Sequence, residues 1–143
     1  PPAPAAPSNP GLKATWHEFK GNKCSEIEKA PVNGTYPVED VMIPKKVKGN
    51  IGLIIKGYFN APQDDIYTFA LLSDDGSTLT IDSEQIVDND GPHGPKEIVG
   101  QKALAKGYHP MELRYFDQNG GQLKLKVTGS DGKEIPFTHL YAH

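Results

Sequence analysis

The sequence holds one cysteine, one tryptophan and one arginine among 143 residues, and it has no long apolar run. Each scarcity excludes something. Cys24 has no partner with which to close an internal disulfide, so the fold is not a disulfide scaffold. Its thiol reads either as buried and idle or as a reactive group. Without a stretch of about 20 apolar residues, no membrane span is expected. Fourteen lysines stand beside the lone Arg114, and the net charge of −3 comes from acids and bases mixed along the chain. That leaves little planar guanidinium for phosphate or base recognition and no basic footprint, so nucleic acid is not an expected partner. Phosphate loops, His-rich metal motifs and a nucleophile-base-orienter order are also missing, and no enzyme is expected.

What abounds is Gly and Pro, 15 and 13 residues. Both interrupt regular structure, so the chain should consist of short elements joined by many turns and not of a helical bundle. Pro1 to Pro10 contain only Pro, Ala, Ser and Asn. This composition favours an extended polyproline backbone and reads as a semi-rigid linker over residues 1–10, followed by one domain over residues 11–143. With no initiator Met and no signal-peptide pattern, the chain is expected to be a piece of a larger protein.

From Leu12 onward the recurring period is two. Leu123, Leu125 and Val127 alternate with Lys124 and Lys126, which describes a strand with one wet face. The same reasoning predicts strands over Thr15 to Phe19, Ile51 to Phe59, Ile66 to Leu72, Ser77 to Ile81, Gln85 to Asp88, Glu97 to Ala103 and Pro110 to Phe116. Turn chemistry separates them, at Asp74-Asp75-Gly76, Asn89-Asp90-Gly91-Pro92, Lys106-Gly107, Asn119-Gly120-Gly121 and Asp131-Gly132. The fold class is therefore all-β, an antiparallel sandwich or flattened barrel of about eight or more short strands. Gly21 to Asn50 shows little pattern and reads as a long connection that wraps the sheets.

The unusual local feature is Ser73-Asp74-Asp75-Gly76-Ser77, two adjacent carboxylates between apolar strands. Successive side chains of a regular strand point to opposite faces, so Asp74 and Asp75 can serve one ion only if the backbone breaks there. Ca²⁺, which takes about 6–8 oxygen ligands, suits such a break. The alternative is a polar turn whose carboxylates cap neighbouring N–H groups. Asp117-Gln118-Asn119-Gly120, and Asp88-Asn89-Asp90-Gly91 with His93, could add oxygens if their turns share one end of a sandwich, or each could be an ordinary hairpin. His93 reads as a hydrogen-bonding ligand candidate or as a plain surface histidine. His17, His109, His139 and His143 lack metal-ligand spacing and read as structural or exposed. Trp16 reads as a core anchor or as a platform for a sugar ring. In the adjacent aromatic pairs Tyr58-Phe59 and Tyr115-Phe116, one member should face the core.

The motif order resembles a known family. Gly57-Tyr58-Phe59-Asn60-Ala61-Pro62, Tyr67-Thr68-Phe69, Ser73-Asp74-Asp75-Gly76-Ser77 with Leu79 and Ile81-Asp82, Val87-Asp88-Asn89 with His93, Lys106-Gly107-Tyr108-His109-Pro110, and Tyr115-Phe116 before Gly120-Gly121 look like the protective-antigen (PA-fourteen) domain. Asp65 stands where the family usually has Gly, and Val127 where it usually has an aromatic. The resemblance implies a β-sandwich module of secreted glycosidases, adhesins, toxins and signalling proteins, often associated with carbohydrate binding. It also implies that two consecutive Asp residues, joined by a cis peptide, hold a Ca²⁺ that coordinates sugar hydroxyls. Carried over, the ion would be held by Asp74, Asp75, Asn119 and Asp117. The ligand would meet Asp74, Asp75, Asn89, His93 and Gln118.

The expectation is thus a non-catalytic carbohydrate-binding module of a larger bacterial protein that is secreted, at the cell surface or periplasmic. Ca²⁺ would be its cofactor, a glycan its ligand, and a neighbouring catalytic domain, that of a glycoside hydrolase, its partner in the same polypeptide. The alternative is a structural module that packs on and positions that domain without binding glycan itself.

Overall fold

A computed structural model describes residues 9–44, 47, 49–118, 121–136 and 140–142. Within them the chain forms eleven strands: β1 (Asn9–Pro10), β2 (Leu12–Glu18), β3 (Val32–Val38), β4 (Asn50–Ala61), β5 (Asp65–Asp74), β6 (Ser77–Ile81), β7 (Glu84–Asn89), β8 (Lys96–Leu104), β9 (Gly107–Gln118), β10 (Gln122–Thr128) and β11 (Leu140–Ala142). One sheet runs β1-β11-β4-β9-β6-β7, with β2 paired to β4 and β3 to β2; the other runs β10-β5-β8. The two antiparallel sheets make a sandwich, the fold class expected from the turn spacing.

The inward positions of both sheets meet in one core. Leu53, Ile55 and Phe59 of β4, Tyr67, Phe69 and Leu71 of β5, Leu79 and Ile81 of β6, and Leu113 and Tyr115 of β9 are buried in it. Phe59 touches the rings of Tyr67 and Phe69 edge-on, with centroids 5.4 and 5.7 Å away. Each such side chain, fully removed from water, contributes about 1.5–3 kcal/mol. Trp16 packs against this core without being fully buried, which agrees with its reading as an anchor.

Two parts of the sequence reading need correction. Gly21 to Asn50 is not only a connection, because it contains a 3-10 helix over Cys24–Lys29 and strand β3. β3 pairs with β2 alone and is exposed along most of its length; a glycine and a proline dilute its alternation, and Pro37 is tolerated on such an edge. Asn9 and Pro10, assigned to the linker by composition, form β1 against β11; Pro1 to Ser8 lie outside the described residues. Tyr115 and Phe116 are both buried, and one member of the pair faces the main core, as expected. Tyr115 faces the space between the sheets. Phe116 enters a second small cluster with Phe19, Cys24, Ile27 and Ile54, because the 3-10 segment covers that part of the outer sheet face. No helix among the described residues is long and apolar enough to cross a membrane.

Candidate metal and ligand site

The chain changes sheets at the acidic pair. β5 lies in the three-stranded sheet and ends at Asp74, while β6 lies in the eight-stranded sheet and starts at Ser77. Between them the Asp75 N–H donates to the Phe116 carbonyl at 3.1 Å, and Gly76 accepts the Phe116 N–H at 3.0 Å, so the crossing backbone is tied to β9. The Asp74–Asp75 peptide bond is cis. Because the chain leaves one sheet for the other here, the strand regularity that would have sent the two side chains to opposite faces is absent at this point.

Close approach of backbones makes the crossing compact, and glycine permits it. A Cβ on Gly76 would lie 2.5 Å from the Phe116 ring and 2.8 Å from the Gly91 backbone. One on Gly121 would lie 1.9 Å from the Asp74 carbonyl oxygen and 2.6 Å from the Tyr115 hydroxyl. These two glycines let the turns after β5, β7 and β9 reach the same end of the sandwich.

The Asp75 carboxylate joins two of those turns. Oδ1 accepts the main-chain N–H of His93 and Oδ2 that of Gln118, each at 3.1 Å. Each oxygen keeps a further lone pair for a cation or a hydroxyl. The Asp74 carboxylate is half-buried and makes no hydrogen bond or ion pair with another described residue. Asp117 is 2 % exposed, with Oδ2 2.6 Å from the Tyr115 hydroxyl. That hydroxyl also lies 2.7 Å from the Asp74 carbonyl oxygen. Burial first, and the Asp117 carboxylate next, raise the Tyr115 phenol well above its ordinary range, so it stays protonated.

Beneath the crossing lies a polar network. Ser73 Oγ donates to the Asp75 carbonyl at 2.8 Å and lies 2.6 Å from Ser77 Oγ. The Asn89 amide donates to the carbonyls of Leu71 and Lys96 and to Ser73 Oγ. Asn89 is 3 % exposed, and its Oδ1 is a buried oxygen with no hydrogen-bond partner among the described residues. It thus stands as a brace under the site, in contact with the layer that holds Asp75. The His93 ring faces the carbonyls of Asn89 and Gly94 with its two nitrogens, at 2.8 and 2.7 Å, so the ring braces its own turn. His93 approaches the site through its main chain. Asp90 Oδ1 accepts the N–H groups of Cys24 and Gly91, both at 2.9 Å, which fastens the same turn to the 3-10 segment. Gln118 is exposed at the rim. Asn119 and Gly120 lie outside the described residues, as do His139 and His143.

The donor set consists of carboxylate, amide and carbonyl oxygens, the chemistry of a hard cation such as Ca²⁺ and not of a thiolate- or imidazole-bound metal. Among the described residues no three His, Cys, Asp or Glu side chains form a ready cage. The oxygens fit the ion in kind, and the adjacent carboxylates of Asp74 and Asp75 are the ones that would hold it, while Asp117 is turned to the Tyr115 hydroxyl. Sequence reasoning missed Tyr115 and the Ser73-Ser77 pair as parts of the site. The usable signal was that a buried tyrosine hydroxyl and buried serines need polar partners.

The other two described histidines, His17 and His109, are structural. His17 is buried with Nδ1 2.9 Å from the Ala30 carbonyl. His109 is buried between Asp82, 2.8 Å away, and the Ala105 carbonyl.

Similarity to known proteins agrees with this architecture. A PA14 domain family model matches residues 8–137. No curated protein matches the chain. Among solved structures, the PA14 sugar-binding domain of an RTX adhesin is similar, with a TM-score of 0.78 and 16% identity over 95% of this chain and 100% of that one. The PA14 domain of the antifreeze protein MpAFP gives 0.79 and 12% over 99% and 95%. The epithelial adhesin 6 A domain from Candida glabrata, in complex with Galb1-3GlcNAc, gives 0.69 and 13% over 96% and 88%. At these identities the structures establish the shared fold, and the family model covers most of the sequence: the chain belongs to the PA14 domain family.

Proposed function

We propose that this domain is a non-catalytic carbohydrate-binding module, with sugar hydroxyls bound to a Ca²⁺ held by Asp74, Asp75 and oxygens of the 117–120 turn. The observation that carries this reading is the convergence on Asp75, whose carboxylate gathers the His93 and Gln118 turns beside the Asp74 carboxylate, which bonds no other described residue. Ca²⁺ coordinates oxygens with a flexible geometry and commonly retains water, and two vicinal hydroxyls of a sugar can take the place of two waters. Similar domains include one named as sugar-binding and one crystallised with a disaccharide. The module would act outside the cytoplasm, on the surface of a cell or in the periplasm, joined to a glycoside hydrolase or adhesin.

The test is a calorimetric titration of Ca²⁺ into chelator-stripped protein, followed by sugars. Ca²⁺ should bind the wild type and fail to bind Asp74→Ala and Asp75→Ala, and sugar heat should appear only after Ca²⁺. A wild type that takes no Ca²⁺ would overturn the reading.

A second reading, a module that packs on a neighbouring catalytic domain, is favoured by one separate feature. Ile66 and Val99 are 52% and 54% exposed on the outer face of the three-stranded sheet. If that face is the working surface, Ile66→Glu with Val99→Glu would weaken the parent enzyme's stability while leaving Ca²⁺ and sugar binding intact.

A further inference from the structure

We propose that Tyr115 is a positioning residue of the ion site, resting on the calcium reading above. Its ring is buried between the two sheets, at the same level as Leu53 and Ser77 on the neighbouring strands. Its hydroxyl is within hydrogen-bond reach of two oxygens that belong to different sheets. One is the main-chain carbonyl of Asp74, at 2.7 Å, where β5 ends. The other is Asp117 Oδ2, at 2.6 Å, where β9 ends.

A single atom on a side chain held in a packed core therefore ties the first half of the acidic pair, across the two sheets, to Asp117 near the end of β9. Ser73 fixes the other carbonyl of the pair, that of Asp75, at 2.8 Å. Both main-chain oxygens of the pair thereby lie within hydrogen-bond distance of protein hydroxyls. The placing of the side-chain carboxylates that would hold the cation follows from Tyr115 on one side and from the N–H groups of His93 and Gln118 on the other. Gly121 belongs to the same junction, since any side chain there would press on both the Asp74 carbonyl and the Tyr115 hydroxyl. Groups that orient metal ligands without touching the metal typically change affinity about 10–100-fold when removed.

The experiment is calcium calorimetry on wild type and Tyr115→Phe, with the tyrosine ultraviolet difference spectrum recorded on Ca²⁺ addition. Tyr115→Phe keeps the ring and removes only the hydroxyl. It should fold by circular dichroism, bind Ca²⁺ about 10–100-fold more weakly, and lose the tyrosine difference signal shown by the wild type. Affinity within twofold of wild type, or an unchanged difference spectrum, would overturn the proposal. Should Tyr115→Phe fail to fold, Gly121→Ala strains the same junction from the turn, and its Ca²⁺ affinity decides in the same way. A wild type that binds no Ca²⁺ overturns the calcium reading and this one together, whereas a wild type that binds while Tyr115→Phe binds equally well overturns only this one.

Discussion

Asp75 Oδ2 accepts the main-chain N–H of Gln118 at 3.1 Å, linking the crossing between the sheets to the end of β9. With His93 on the other oxygen, this carboxylate has structural work even in the metal-free protein. Asp74 does not, as its carboxylate bonds no other described residue. The two neighbours should therefore separate in a stability measurement made in chelator. Asp75→Ala should lower the unfolding free energy by about 1–3 kcal/mol, the cost of leaving donors of this kind unpaired. Asp74→Ala should stay within about 0.5 kcal/mol of wild type. Urea unfolding followed by fluorescence checks both, and equal losses would mean that Asp75 does not hold the turns.

Cys24 is 1 % exposed, and its thiol donates weakly to the Arg114 carbonyl at 3.7 Å. Burial first, and the Asp90 carboxylate second, push the thiol far above its usual range. Since the thiolate is the nucleophile, native protein at pH 8 should resist iodoacetamide over hours and be labelled promptly in denaturing urea. Intact-mass spectrometry reads the outcome. Rapid labelling of the native fold would restore the reactive-thiol reading.

At the end of the sandwich away from the site, Asp65 receives hydrogen bonds from Ser130 and from the Ile66 N–H. The Ser130 hydrogen bonds are the main reason why its carboxyl titrates below the usual carboxylate range. A depressed folded value means stability that is present above the unfolded value of about 4 and is lost as pH falls through the folded one. The unfolding midpoint of wild type should exceed that of Asp65→Asn at pH 6, and the gap should narrow below about pH 4. A gap independent of pH would show that the carboxylate charge is not what anchors the 129–132 turn.

How much of this was legible depends on where the apolar side chains point. β10 announces itself because Leu125 and Val127 are buried and Lys124 and Lys126 are wet, giving a clean alternation. β3 stays silent because one of its faces is exposed throughout and the other is only partly covered until Val38, with Gly34 and Pro37 weakening the pattern further. At the site, Asp74 and Asp75 stand out because carboxylates interrupt an apolar run. Tyr115 does not, because a tyrosine in an apolar strand looks like any core aromatic until register places its hydroxyl beside Asp74 and Asp117. Asn89 shows the reverse case. Its acidic, turn-rich surroundings suggest a ligand contact, yet its amide is spent on Leu71, Ser73 and Lys96 under the turn.

The most direct measurement is a glycan array probed with the wild-type domain in millimolar Ca²⁺ and again in chelator, alongside Asp74→Ala. A defined set of neutral or charged glycans should be bound in Ca²⁺, vanish in chelator and be absent with Asp74→Ala. Binding that survives chelator, or a well-folded domain that binds no glycan with Ca²⁺ present, would contradict a calcium-mediated sugar site at Asp74 and Asp75.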